Sequence, residues 1–332
     1  MKSNKIYLGY ALILLLAIGF VACSDSDDDS DDTSLGTPYI TKVYDFMPAV
    51  GQFTNKLPEY KPGDTHETMV RKAEEQIKGA NPIGMVSLGG FGGYIVFGFD
   101  HTIENVSGYR DFRILGNAFW SDASPNLETS LRGGSCEPGI ILVSYDTNKN
   151  GLPDDEWYEI AGSEYNKSIE NYEITYYKPD PGKTPVLNED EPHATDVEYI
   201  RWEDNKGNTG YKAKNQYNNQ SYFPEWVNSD RITFRGRLLP DNAVDESSDE
   251  QYWVFYSFDY GYADNATNVD NESAIDIDWA VDSNGNKANL PGIDFVKVYS
   301  AVNQECGWLG EVSTEVSGAY DLHLLGISIE TK

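Results

Sequence analysis

The sequence predicts an all-β fold: an antiparallel β-sandwich or jelly roll with long loops and one short N-terminal helix. Three observations lead there. The chain carries 23 Tyr, 13 Phe and 7 Trp among 332 residues, and such rings fit pleated, half-buried surfaces. Short apolar and β-branched runs recur between Gly, Asn, Asp and Pro turns, the spacing of a sandwich or barrel. No alternation of strands with helices supports a parallel sheet.

The chain opens on an address. Lys2 and Lys5 precede an unbroken apolar run from Ala11 to Val21, which ends at Ala22-Cys23. The run is shorter than the about 20 residues that span a bilayer, so residues 1–22 read as a cleaved secretory signal with Cys23 as the lipidation site. Residues 23–37 then form a tether whose Ser24-to-Asp32 run is strongly acidic. This run resembles the surface-export tether of Bacteroidota lipoproteins, which implies a lipid-anchored protein on the outer face of the outer membrane; the alternative is an ordinary disordered linker in the periplasm.

Residues 38–332 read as one sandwich-like ligand-binding domain. A strand is expected near Ile40–Tyr44. A helix follows, with Asp64 as its cap, Glu67 three residues on, and Met69, Val70, Ala73 and Ile77 on one face until Lys78-Gly79. Strands are then expected at Tyr94–Phe99, Phe112–Leu115, Gly139–Tyr145, Glu156–Ala161, Tyr172–Tyr177 and Tyr199–Trp202. Further strands are expected at Arg231–Phe234, Tyr252–Phe258, Ile275–Val281, Phe295–Tyr299 and Leu322–Ile329. In the third of these Ile275, Ile277, Trp279 and Val281 alternate with Asp276, Asp278 and Ala280, so one face is buried and the other wet. Residues 179–248, richer in Asn, Asp, Pro and Lys, form either an inserted lobe or a set of long loops.

The formal charge is −29, from 54 acidic and 25 basic residues. Such a surface repels phosphate backbones and anionic headgroups, which argues against nucleic-acid binding and leaves the lipid as the membrane contact. With Cys23 lipidated, Cys136 and Cys306 remain in an oxidising compartment, either as a disulfide or as two buried thiols. The four histidines are scattered with no HExxH pair, and neither a Gly-x-Ser-x-Gly elbow nor a Walker loop occurs. The Gly-rich run Leu88 to Tyr94 precedes a strand, so no helix N-terminus is there to cradle phosphate.

Two patterns remain as binding candidates. In Asp146-Thr147-Asn148-Lys149-Asn150-Gly151-Leu152-Pro153-Asp154-Asp155, oxygen ligands fall at alternate positions before a Gly, as in the first half of a calcium loop. Position twelve is Trp157 rather than Glu, so Asp146, Asn148, Asn150 and Asp154 either staple a calcium ion or close a plain hairpin turn. Asp282-Ser283-Asn284-Gly285-Asn286 reads as a hairpin turn. Trp202, Tyr211, Tyr217, Tyr222, Phe223 and Trp226 are interleaved with amides such as Asn205, Asn215, Asn218 and Gln220. Rigid rings and adaptable amides together suit a large, uncharged, polar-rimmed ligand, or the rings pack on their own domain.

Several segments carry a family resemblance: Gly93 to His101 (GYIVFGFDH), Asp111 to Phe119 (DFRILGNAF), Glu137 to Ile140 (EPGI), Glu156 to Ser163 (EWYEIAGS) and Gly307 to Val312 (GWLGEV). From about Pro82 onward the chain resembles Bacteroidota surface lipoproteins associated with TonB-dependent nutrient uptake, including those that capture cobalamin. The resemblance implies a non-enzymatic capture protein with a TonB-dependent transporter as partner and cobalamin or a related corrinoid as ligand. A glycan-binding lipoprotein, or a polysaccharide hydrolase, is the alternative. The shared segments are strand and turn residues, so no ligand contact follows from them.

Overall fold

The computed structural model describes residues 36–121, 132–247 and 252–331; the signal sequence, Cys23 and the tether lie outside the described residues. Among the described residues strands predominate, there is one α-helix, and the strand pairs are antiparallel. The strands do not stack as two layers, and the sandwich or jelly-roll expectation is overturned. They fall into sheets of six, four, four and three strands, set as a four-bladed propeller of small sheets, with one two-stranded ribbon. Short strands between frequent turns serve a propeller as well as a sandwich. Alternation shows that a sheet has a buried face, but not which sheet covers it.

The largest sheet has the order Lys42–Met47, Tyr94–Glu104, Gly292–Ser300, Gly139–Ser144, Trp157–Ile160, Ala280–Val281. Both of its faces are covered. Ile95, Phe97, Ile141, Val143, Val296 and Val298 point into one core, which the helix His66–Ile77 closes with Met69, Ala73 and Ile77. Ile140 and Tyr299 point into a second core, shared with Tyr172, Ile174, Tyr176, Ile200 and Phe234. These last come from the four-stranded sheet Thr209–Asn215, Ala194–Asp204, Ile169–Tyr177, Arg231–Leu238. Three of its strands lie within 179–248, joined by loops and paired onto Ile169–Tyr177, a strand that precedes the segment.

Local expectations shift in three places. Thr65, not Asp64, caps the helix by accepting from the Thr68 amide, while Asp64 takes the Lys61 amide at 2.7 Å and the Lys72 ammonium at 2.5 Å. Residues 275–281 are not one strand. Two short pairs, Ala274–Ile275 and Ala280–Val281, flank a single 3-10 turn at Ile277–Trp279, and Asp276 is buried rather than wet because its carboxylate takes the Asp278 amide and the Thr331 hydroxyl. The last strand is Gly318–Asp321; the chain then turns, and His323 Nε2 meets buried Asp111 Oδ1 at 2.9 Å.

One carboxylate joins several of these pieces. Asp264 Oδ1 accepts from the amides of Asn117 and Ala118 at 2.8 and 2.9 Å, and Oδ2 from that of Glu315 at 3.0 Å. Its φ of 52° lies in the left-handed region, which Asn and Asp tolerate better than other non-Gly residues. Asp264→Ala leaves three amides without their acceptor, the buried one of Glu315 at about 1–3 kcal/mol and the partly exposed ones of Asn117 and Ala118 at less, and removes one buried charge. Urea unfolding should therefore report a net loss of about 2–5 kcal/mol for Asp264→Ala, and a smaller loss for Asp264→Asn, which keeps an acceptor and the backbone preference.

Candidate functional site

The alternation that fills the second core also makes a cleft. Along Gly292–Ser300, Phe295, Lys297 and Tyr299 share a face, and the register sets Lys297 opposite Val96 on one side and Leu142 on the other. Leu142 in turn faces Glu159. Lys297 and Glu159 thus lie two strand spacings apart, roughly 10 Å, with Leu142 between them. Tyr94 and Trp157 extend this floor, and Thr233 to Arg237 of the neighbouring sheet form a wall. The cleft between them measures about 950 Å³.

Two hairpin tips stand at its rim, each closed by an aspartate. Asp204 Oδ1 accepts from the amides of Lys206 and Asn208 at 2.9 and 2.8 Å; Asp282 Oδ1 does the same for Asn284 and Asn286, both at 2.8 Å. Side-chain donation from Asn286, with these amides, lowers the Asp282 pKa, and at Asp204 burial is outweighed by side-chain donation from Asn208 and the same kind of amide bonds, which lower it too. Asn205, Asp282 and Ser283 face the cleft from these tips.

Charge in the cleft is mostly paired. Arg237 Nε meets Glu159 Oε1 at 2.9 Å and its Nη2 meets Glu170 at 3.2 Å, with the guanidinium 3.9 Å from the Tyr165 ring centre. Arg235 pairs with Glu173. Burial nevertheless lifts Glu159 to about 7, outweighing the pull of Arg237. The Lys297 ammonium sits 4.1 Å from the centre of the Tyr94 ring. Burial lowers its pKa, against the attraction of Asp45, whose carboxylate is spent on the Tyr94 hydroxyl at 2.7 Å and on His66 at 2.9 Å.

A second pocket, of about 510 Å³, lies elsewhere and mixes Phe53, Phe119, Trp253, Phe255 and Trp308 with Glu137, Glu311 and Glu315. Behind it, Glu137, Asp264 and Glu315 each offer a carboxylate oxygen within 4.8 Å of the others. Together these three side chains could hold a metal ion. Burial, then mutual repulsion, raises Glu137 and Glu315, and burial raises Asp264. Carboxylates this close cannot all be ionised in a dry site, so they share protons or take a cation.

No family model matches the chain, and no curated protein matches it significantly. Among the described residues no helix is long and apolar enough to cross a membrane.

The aromatic stretch chosen from the sequence is dispersed. Tyr222 and Phe223 are core residues, and Trp226 is buried between Phe46 and Tyr60 at ring-centre distances of 6.4 and 6.0 Å. These three therefore offer no ring face to a ligand. Trp202 is half-buried against the second core. Tyr211 is exposed away from both pockets, and Tyr217, also exposed, meets Trp308 edge-on at 6.4 Å at the margin of the smaller pocket. The amides are spent too: Asn215, Asn218 and Gln220 all donate to Gln52.

Asp146, Asn148, Asn150 and Asp154 do converge, on one exposed turn between the strands Gly139–Ser144 and Trp157–Ile160. Asp146 accepts from the amides of Asn150 and Gly151 at 3.1 and 2.8 Å, and Asp154 from the side-chain amides of Asn148 and Asn150 at 3.1 and 3.0 Å. Cys136 and Cys306 are free thiols, which corrects the disulfide alternative. Both are packed as small apolar groups in the second core, and burial pushes both pKa values up. Sequence reasoning passed over Lys297, Glu159 and Arg237, which come from separate segments; the one local sign was a lysine inside the apolar run Phe295 to Tyr299.

The raised carboxyls fix a pH dependence. Glu159 and Glu311 stand near 7 and Asp111 near 6, chiefly through burial, against about 4.3 for Glu and 3.9 for Asp in an open chain. A folded pKa above the unfolded one favours the fold while the group is protonated. That contribution is complete below about pH 4 and is lost as pH rises through 6 to 7. Calorimetry in EDTA should find the melting temperature falling between pH 5 and 8. Glu315→Gln, which removes one charge from the buried cluster, should melt higher than the parent at pH 8 by about 2–4 °C per kcal/mol relieved.

Proposed function

We propose that the protein is a non-enzymatic, lipid-anchored cell-surface module that captures a nutrient and passes it to a TonB-dependent outer-membrane transporter. The ligand is cobalamin or a related corrinoid. The cleft of about 950 Å³ carries the reading: it is at the upper end of the range for small-molecule sites, and it mixes ring faces (Tyr94, Trp157, Tyr165) with hydrogen-bonding groups (Asn171, Asn205, Thr233). A corrinoid presents an apolar macrocycle fringed by amides, which such a lining complements. A tether ending at lipidated Cys23 would raise the concentration of loaded module at the transporter mouth.

A glycan-binding protein is the second reading, favoured by Trp157 and Tyr165, whose rings would stack on sugar faces. Glu159, with a pKa near that of a general acid at neutral pH, keeps a polysaccharide hydrolase as its enzymatic form. Isothermal titration of the mature protein with cyanocobalamin and a panel of neutral glycans decides between them. Saturable corrinoid heat is expected, weakened about tenfold by Trp157→Ala, since a buried ring contributes on the order of 1–3 kcal/mol. Saturable glycan heat with no corrinoid response rejects the corrinoid, and release of reducing sugar favours the hydrolase.

Calcium at the Asp146–Asp154 turn is part of this reading. The turn's side-chain oxygens now accept its own amides, Asn148 Oδ1 from Asn150 at 3.0 Å and Asn150 Oδ1 from Leu152 at 2.8 Å, so a bound ion would replace the side-chain donation that Asp154 now accepts. EDTA should lower the melting temperature of the parent but not of Asp146→Ala; equal melts with and without EDTA remove calcium from the account.

A further inference from the structure

The cleft holds three cations, and two are spoken for. Arg235 is paired with Glu173, and Arg237 with Glu159 and Glu170. Among the described residues, Lys297 has no carboxylate within ion-pair distance. Its ammonium lies over the Tyr94 ring face, and Asp45, the carboxylate that attracts it, is engaged by Tyr94 and His66. A half-buried ammonium without an acceptor is costly. Its position on the innermost strand of the cleft floor is fixed by pairing on both sides, to Val96 and Leu142.

We propose that Lys297 is the anchor for an anionic oxygen of the ligand, so that the cleft selects an organic molecule bearing a single phosphodiester or carboxylate. The inference rests on the reading of this cleft as the ligand site and adds the chemistry that decides which ligand stays. The rest of the molecule is strongly negative, so a multiply charged anion is repelled on approach. One negative group set over Lys297 is instead drawn into a charge-assisted contact that a neutral analogue lacks. Leu142 beside it, with the Tyr94 and Trp157 rings, would take the apolar body of the same molecule. Two sources offer this chemistry: the phosphodiester of a complete corrinoid, or a uronate residue of a glycan.

The test compares matched ligands. Cyanocobalamin carries the phosphodiester and cobinamide lacks it; an oligosaccharide containing glucuronate is set against its neutral counterpart. Titrated into the parent, Lys297→Arg and Lys297→Gln, the anionic member of whichever pair binds should lose tenfold or more in Lys297→Gln and recover most of it in Lys297→Arg. The neutral member should change less than about twofold. Equal loss for both members, or no loss for either, overturns the inference.

A second measurement separates this failure from failure of the capture reading. In the ¹³C-dimethyl-lysine spectrum of the parent, the resonance missing from Lys297→Arg belongs to Lys297, and methyl phosphate or glucuronic acid alone should shift it saturably. A shift with no binding of any large ligand upholds the anion site and rejects the proposed nutrient. Absence of a shift, even where a large ligand binds, rejects the anchor.

Discussion

The Gly292–Ser300 strand is paired on both edges and covered on both faces, and most of the architecture follows from that constraint. Its alternate residues must fill two different cores. Val296 and Val298 serve the one closed by the helix and Tyr299 the other, while Phe295 packs edge-on against Tyr44. A one-residue slip would exchange the two sets, driving Lys297 into a dry apolar core at a cost no neighbour could offset. The two flanking ladders prevent the slip. The cleft floor is therefore a consequence of core packing, and its central charge is as firmly placed as the valines behind it.

A different balance governs the buried carboxyls. Asp264 holds three amides, from residues just after Phe112–Leu115 and from the ribbon strand Glu315–Val316, so it organises the backbone beside the smaller pocket. Glu137 and Glu315 crowd against it, and burial raises all three. The same group thus ties segments together through hydrogen bonds and strains them through repulsion. The hydrogen bonds are strongest to the ionised carboxylate, and the repulsion also grows as the cluster ionises, so the two effects rise together with pH.

Much of the secondary structure was legible because it depends on local pattern. Phe112–Leu115 is a strand over the residues expected, and Met69, Ala73 and Ile77 form the buried face of the helix. The pattern misled where side-chain chemistry overrode it: at 275–281 the buried carboxylate of Asp276 caps a 3-10 turn inside an alternating run. The arrangement of sheets was not legible, since alternation is indifferent to what lies across the buried face. The candidate site was less legible still. The Trp202–Trp226 stretch stood out as a continuous aromatic and amide-rich sequence, yet its second half is the non-strand connection between Thr209–Asn215 and Arg231–Leu238, and tertiary packing took Tyr222 and Phe223 into the core while Tyr217 stayed in solvent. The cleft instead collects residues from strands up to two hundred positions apart, and only pairing register brings Lys297, Leu142 and Glu159 into one row.

The rim turns show how such a site is kept ready. Asp204 and Asp282 each close a hairpin tip by accepting two backbone amides, and an Asx-type turn of this kind needs no packing from a ligand to persist. The floor is a six-stranded sheet and the wall belongs to a four-stranded one. With floor, wall and both tips held by the protein's own hydrogen bonds, binding orders little further backbone, and the entropic cost of association falls mainly on the ligand. Selectivity must then come from what the rigid surface offers rather than from closure around the guest. Among the cations lining that surface Lys297 is the one left without an acidic partner among the described residues, so on the proposed reading a ligand's own charge is the variable to which the cleft would respond most.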